Sequence, residues 1–401
     1  MERSPGIGGK VASSRDAAEV VYLDYNATAP MRPEALKATV SAMHSVGNAS
    51  SMHHPGRDAA TRVDHARRQV AELLNCSPGE LVFTSGATEA NNLALHAAYG
   101  RGGCLVTSAV EHPAVLETAR SLTAGDPDAL VVLSVDADGA LDLDGLATTL
   151  GSRDVALVSI MLANNETGVL VDLRPIAEAA HAAGALVHTD ATQYVGRLPL
   201  DLNELDVDLL SLSGHKFGAP QGVGALFVRR GAALPYRPLL VGGGHERGWR
   251  AGTLNVAGIV GLGAAAEAAY KNLDHEVVRI GELRDRLETS LLVRVGDCEI
   301  NGRRLARLPG VTSITFPGLP ADAVLAAMPH VAASDGSACS SGAPSPSHVL
   351  LAMGRSREDA DSTIRLSLGH ATTEQDIERA AEAVVAGVQH VRTILAATDG
   401  P

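Results

Sequence analysis

Short apolar runs recur through the middle of the chain, most followed by a polar or glycine-bearing turn and then a helical stretch. They are LVF at 81–83, CLVTS at 104–108, VVL at 131–133, VALVSIM at 155–161, ALVHTD at 185–190, LLSLS at 209–213 and GALFV at 224–228. Runs this short and this rich in Val and Leu predict buried strands. The helical stretches between many of them predict βαβ units and a mainly parallel sheet. Upstream, VVYLDYNATAP predicts a short strand and a turn beginning near Val21. A helix is expected over 33–44, a turn-rich connection over 47–56, and a helix with a charged, solvated face over 57–74. Downstream, 255–292 is Ala-rich and helical, long enough to bridge two domains, and strands at 311–316 and 364–368 mix with helices as far as about Ala397. The expected class is α/β: a large domain over 26–270 with the mainly parallel sheet, and a small α+β domain made of 21–25 and 271–401. Residues 1–20, polar and Gly/Ser-bearing, are expected to form a disordered extension.

Composition sharpens this picture. Apolar residues make up 45% of the 401-residue chain but aromatics only 3%, so Ala, Val and Leu must fill the core. That suits parallel strands covered by Ala-rich helices. At roughly 100–200 residues per domain, the length allows two or three domains, and such a chain folds without disulfides or metal. The formal net charge of −13 repels polyphosphate backbones, so no direct nucleic-acid binding is expected. No apolar run reaches about 18 residues, so no membrane span is expected. The first twenty residues lack the apolar segment of a signal peptide. Cys76, Cys104, Cys298 and Cys339 form no CxxC pair, which points away from a metal site or a compact disulfide framework. Free thiols in a reducing cytoplasm are expected.

Ligands of parallel sheets gather at the carboxyl ends of strands, so the residues just after each run are the chemical candidates. SLSGHKFGAPQGVG (211–224) presents Lys216 among small residues that let a flat cofactor approach. A lysine held and partly desolvated there can form a Schiff base, although a lysine in a glycine turn is ordinarily a surface residue. Asp190 ends the ALVHTD run 26 residues earlier, a separation that suits a neighbouring strand. A carboxylate there is the expected partner of the pyridinium nitrogen of pyridoxal 5'-phosphate (PLP), whose ring it keeps an electron sink. Alone, such an Asp is as readily a helix cap. FTSGATEANN (83–92) runs from strand to helix start, offering backbone N–H groups and the Thr88 hydroxyl to an anion, or simply an ordinary cap. His112, in SAVEHPAV, follows another strand and can stack on a flat ring and shuttle protons. SDGSACSSGAPSPS (334–347) holds Cys339 without apolar neighbours, a setting that predicts an accessible, reactive thiol.

At these segments the chain resembles the cysteine desulfurases of the NifS/IscS type, in the class V branch of the fold-type I PLP enzymes. The resemblance runs from about Tyr22 to Ile377. It rests on YLDYNATAP, GNASSMHHPG, VFTSGATEANNLA, VEHPAVL, VSIMLANNETGV, VHTDATQYVGRLPLD, SLSGHKFGAPQGVGAL, GGGHERGWRAGTLN, DGSACSSG and STIRLSLG, in family order. It implies the PLP-dependent transferase fold of type I, with a seven-stranded sheet in the large domain and the nucleophile loop 334–347 in the small one. It implies Lys216 as the Schiff-base lysine, Asp190 as the partner of the ring nitrogen, Gln193 as the group on the phenolic oxygen and His112 as the stacked acid/base. Ala87, Thr88, Ser213 and His215 match phosphate-binding positions, and Thr253 matches a threonine that reaches the phosphate of the other protomer of a homodimer. Asn165 and Arg365 look like the pair that holds the substrate carboxylate, and Cys339 like the persulfide cysteine. Three positions depart from the pattern: Ala49 stands where relatives often carry Pro, Asp335 where they often carry Ser, and His370 where they often carry Arg.

The activity so implied converts L-cysteine to L-alanine, with the sulfur passing to Cys339 and then to an acceptor protein. A selenocysteine lyase or aminotransferase on the same fold would keep Lys216 and Asp190 and leave Cys339 idle. A non-catalytic sulfur-transfer scaffold would not need Lys216, Asp190 and His112, whose presence argues against it. Iron–sulfur assembly, tRNA or DNA modification and specialised biosynthesis are all open as destinations of the sulfur.

Overall fold

The computed structural model describes residues 20–235, 237–335 and 346–398. Most of the expected N-terminal extension therefore lies outside the described residues, as does Cys339. The strands are β1 (Val21–Tyr22), β2 (Leu81–Thr84), β3 (Cys104–Ser108), β4 (Leu130–Leu133), β5 (Val155–Ser159), β6 (Leu186–Asp190), β7 (Leu209–Ser213), β8 (Gly224–Val228), β9 (Glu299–Ile300), β10 (Val311–Thr315), β11 (Val331–Ala332), β12 (Ser334–Asp335) and β13 (Thr363–Ser367). The helices are α1 (Pro33–Met43), α2 (His54–Leu74), α3 (Ala87–Tyr99), α4 (Pro113–Leu122), α5 (Leu143–Ser152), α6 (Arg174–Ala182), α7 (Leu202–Leu205), α8 (Val256–Val295), α9 (Ala321–Ala326), α10 (His348–Ala352), α11 (Arg357–Asp361) and α12 (Glu374–Thr398).

All seven apolar runs are strands of one seven-stranded sheet, in the order β2-β8-β7-β6-β5-β3-β4. The pairs from β7 through β4 are parallel, and β8 runs antiparallel to both β7 and β2. Both faces are buried. Leu105, Leu157 and Leu209 pack under α3 and α4 on one side, while Val106, Val158 and Leu210 belong to the larger core on the other. This two-residue alternation between two apolar faces is why the runs are continuous rather than half polar. A second, antiparallel sheet, in the order β12-β13-β10-β9, has its own core with α12.

Helix α8 joins the two cores. Its first half places Ile259, Leu262 and Ala266 in the first core, and its second half places Ile280, Leu283 and Leu287 in the second. The small residues of the first half set the approach of its neighbours. A Cβ on Gly263 would lie 2.5 Å from Ala66 Cα of α2, and one on Gly261 would collide with Thr39 of α1. Helix α2 starts at His54, three residues before the expected Arg57. Pro55 is tolerated in a first turn, and His53 Nδ1 accepts the Gly56 N–H at 3.2 Å as a cap. Among the described residues no helix is long and apolar enough to cross a membrane.

Candidate active site

The carboxyl edge of the seven-stranded sheet opens into a cavity of about 360 Å³, lined by Asp190, Lys216, His112, Gln193 and Asn165 among others. Asp190 ends β6 and is 6% exposed. Its Oδ2 accepts from Asn91 Nδ2 at 2.7 Å and its Oδ1 from the Thr192 N–H at 2.9 Å. Lys216 closes a single 3-10 turn after β7, the strand hydrogen-bonded to β6. Its Nζ donates to the carbonyl oxygens of Asn26 (2.6 Å) and Ala27 (2.8 Å). His112 caps α4, where its Nδ1 accepts the Ala114 N–H at 3.0 Å, so the neutral ring carries its proton on Nε2. Burial holds this imidazole below the usual pKa; Asp190 opposes the shift, and Lys216 and His348 reinforce it.

The expected anion site is present in its parts. Helix α3 begins at Gly86 with no side-chain cap, so the first-turn N–H groups at Ala87 and Thr88 have no partner within the helix. Such a start favours an anion. Gly86 adopts φ +155°, and a Cβ there would sit 3.5 Å from Ser213 Oγ. On the opposite strand a Cβ on Gly224 would lie 2.7 Å from Gly86 Cα, so two glycines make the close turn. Ala87, Thr88, Ser213 and His215 all line the cavity. His215 Nδ1 lies 3.1 Å from Thr28 Oγ1, and burial pushes this ring down to about 4, with Lys216 and Arg197 adding to the shift. Thr253 does not line the cavity. It is exposed, in an adjoining hollow that shares only Ser85 and Gly222 with it.

Asn165 lines the cavity, and its carbonyl accepts from Arg365 Nη1 at 3.1 Å. Arg365 itself is 1% exposed and lies behind that wall, with Nη2 on Asp24 Oδ1 at 2.9 Å and Nε buried without a partner among the described residues. The segment that bears Cys339 leaves β12, where Ser334 pairs with Arg365. It rejoins the described residues before Ser347, whose hydroxyl donates to the buried Glu166, next to Asn165. Burial pushes Glu166 up to about 7; Ser347 and Arg365 oppose the shift and Asp335 adds to it.

Among the described residues, three buried polar atoms on cavity-lining side chains have no partner: Gln193 Oε1, Thr192 Oγ1 and Asn91 Oδ1. Together with the uncapped helix start, the carboxylate and the lysine, they suit a ligand that is flat, polar and anionic at one end, as PLP is. Known proteins point the same way. The class-V aminotransferase family model matches residues 21–380. A cysteine desulfurase of Gluconacetobacter diazotrophicus is 44% identical over 388 residues, covering 95% of this chain and 96% of that one. An IscS-like cysteine desulfurase of Mycobacterium tuberculosis is 40% identical over 392 residues, covering 95% and 99%. The crystal structure of a NifS-like protein from Rickettsia africae superposes with a TM-score of 0.83 at 34% identity, covering 91% of this chain and 98% of that one. The chain belongs to the class-V aminotransferase family, in its cysteine desulfurase branch. It is thus a PLP-dependent enzyme of that branch.

A desulfurase of this branch needs a nucleophilic thiol, and the described cysteines are poorly suited to be one. Burial drives Cys76 up to about 12, with Glu80 adding to the shift and Arg229 opposing it. It also raises Cys104 and Cys298 above the ordinary thiol. Several residues around the site escape sequence reasoning. Asn91 stands one helical turn beyond Ala87, and that spacing was the available signal. Glu111 is fully buried against Ser108 and the Met161 N–H and is driven up to about 8 by that burial. His188 lies between Ser159 and Ser211, 2.8 and 3.0 Å away. Asn26 and Arg197 meet beneath Lys216 from positions 171 residues apart, which no local pattern announces.

Proposed function

We propose that the chain takes the sulfur of L-cysteine onto Cys339 and hands it to an acceptor protein, with Lys216, Asp190 and His112 at the centre of the chemistry. The observation that carries this reading is the convergence of those three side chains on one cavity from three strand ends. The depressed reactivity of the other three cysteines supports Cys339 as the acceptor thiol.

Asp190 would hold the cofactor's ring nitrogen, Gln193 its phenolic oxygen, and Ala87, Thr88, Ser213 and His215 its phosphate. When bound, PLP supplies an electron sink conjugated to the substrate α-carbon. Asn165 on the cavity wall and Arg365 behind it would orient the substrate carboxylate, for which the Arg365 fork must exchange its bonds to the Asn165 carbonyl and Asp24 for the substrate. Lys216 Nζ takes the α-proton once the substrate has displaced it. His112 offers an Nε2–H donor that holds the sulfur of the substrate thiol in place. The Cys339 thiolate attacks the substrate sulfur; the S–S bond forms, the C–S bond breaks, and the carbon skeleton regains protons to leave as L-alanine.

We assign the cofactor to a large domain over 26–270, and the nucleophile segment to a small domain made of 21–25 and 271–401. The working form is a homodimer. Leu36, Val40 and Met43 form an exposed apolar stripe on α1, and the exposure of Thr253 leaves its hydroxyl free to serve a partner's phosphate site in such a dimer. The setting is the cytoplasm, where thiols stay reduced. Lys216→Ala should keep the wild-type melting temperature within a few degrees and lose alanine release from L-cysteine. Normal alanine release by that variant would remove Lys216 from the chemistry.

A further inference from the structure

The residue with the most connections around Lys216 is Asn26, which does not line the cavity. It is 2% exposed, and each of its four polar groups is taken by a different part of the chain. Its N–H donates to Ser367 Oγ at 3.0 Å, at the end of β13 in the second sheet. Its Nδ2 donates to the Asn165 carbonyl at 2.9 Å. Its Oδ1 accepts from Arg197 Nη1. Its carbonyl accepts from Gln193 Nε2 at 3.0 Å and from Lys216 Nζ at 2.6 Å. Three residues with expected roles toward cofactor or substrate, Lys216, Gln193 and Asn165, are thereby referred to one peptide unit.

Arg197 completes the arrangement. Its Nη2 donates to the carbonyls of Tyr25 (2.9 Å) and of Lys216 itself (3.0 Å), tying the lysine's own backbone to the Asn26 turn. Among the described residues Arg197 has no carboxylate partner; its acceptors are the oxygens of this turn and of Lys216. A partly buried guanidinium given over to neutral oxygens is costly unless the geometry it holds matters.

We propose that Asn26 is a positioning residue with two separable arms. One arm, through Arg197, holds the carbonyls of Asn26 and Ala27 as the seat that Lys216 Nζ occupies whenever the lysine is not joined to the cofactor. The other, through Nδ2, fixes Asn165 toward the substrate. This rests on Lys216 being the cofactor lysine. A seat two hydrogen bonds deep keeps the released lysine beside the cavity, so it can return to the cofactor before the cofactor escapes. Loss of the seat should appear as cofactor loss, and loss of the Asn165 arm as weaker substrate binding.

The two arms can be cut one at a time in the holoenzyme. Asn26→Asp keeps an acceptor for Arg197 but replaces the donor to Asn165 with an oxygen. It should raise KM for L-cysteine about tenfold, with kcat and the rate of cofactor loss near wild type. Arg197→Met should speed the decay of the bound cofactor's visible absorbance on dilution about tenfold and leave KM near wild type, and Arg197→Lys should recover part of that retention. Wild-type values of KM and cofactor retention in both variants would overturn the proposal. So would a parallel loss of KM, retention and melting temperature in both, which is what a merely structural role produces. Lys216→Ala, run beside them, separates the two claims. An active Lys216→Ala enzyme defeats the underlying reading, whereas an inactive one with unaffected Asn26 and Arg197 variants defeats this inference alone.

Discussion

At the scale of single residues, His112 combines two tasks that pull on different nitrogens. Nδ1 is committed to the start of α4, so a neutral ring offers Nε2–H to the cavity. Protonating the ring requires Nδ1 to release the Ala114 N–H, and burial already disfavours the charge. The imidazolium therefore forms only below the ordinary value near 6.5. The His112 limb of the kcat/KM profile for L-cysteine should lie at lower pH than an ordinary imidazole gives, the rate falling as pH drops through the depressed pKa. His112→Asn keeps an oxygen able to cap α4 but should lower kcat by roughly 10²–10⁴ and abolish the acid limb. A variant with near-normal kcat and an unchanged profile would reduce His112 to a cap. This dual use also shows what was legible from the chain. The position of His112 after an apolar run marked it as chemical, but its tautomer depended on the Ala114 backbone, which only the folded turn defines. Arg365 is similar: the motif around it pointed to a carboxylate, and its contacts with Asp24 and Asn165 appear only when β13, the N-terminal segment and the loop after β5 are brought together.

At the scale of elements, the β2–α3 turn and the start of β8 form one unit. Seven runs of Val and Leu marked all seven strands of the large sheet: the interior strands are buried on both faces, and the edge strand β4, with Val132 exposed, still carries an apolar run. The 26-residue separation of Asp190 and Lys216 suited neighbouring strands, and β6 and β7 do pair, but the order of the other strands was not legible, since it depends on where the helices between them pack. The turn requires Gly86 at positive φ and Gly224 directly across from it. A Cβ at Gly224 would lie 2.5 Å from the Leu212 carbonyl, so Gly224→Ala must spread β7, β8 and the Gly86 turn. The expected loss is about 1–3 kcal/mol in stability together with a clearly faster loss of bound cofactor in dialysis. Unchanged cofactor retention would show that the glycine pair does not shape the phosphate site.

At the scale of the whole molecule, the proposed homodimer would cover the exposed stripe on α1. Leu36, Val40 and Met43 recur at helical spacing, and Met43 is 72% exposed. The opposite side of α1 packs on α8, so the stripe is not needed by the monomer's own core. Val40→Asp with Met43→Lys should shift sedimentation from dimer to monomer, and cofactor retention should fall if Thr253 of each protomer serves the other's phosphate. A double variant that remains a dimer would place the interface elsewhere. The central claim, that Cys339 is the sulfur acceptor, is tested most directly by intact-mass measurement before reduction. The wild-type holoenzyme treated with L-cysteine should gain one sulfur, mapped by peptide analysis to Cys339, and Cys339→Ser should gain none. Sulfur on Cys76, Cys104 or Cys298, or steady alanine release with no persulfide anywhere, would contradict it.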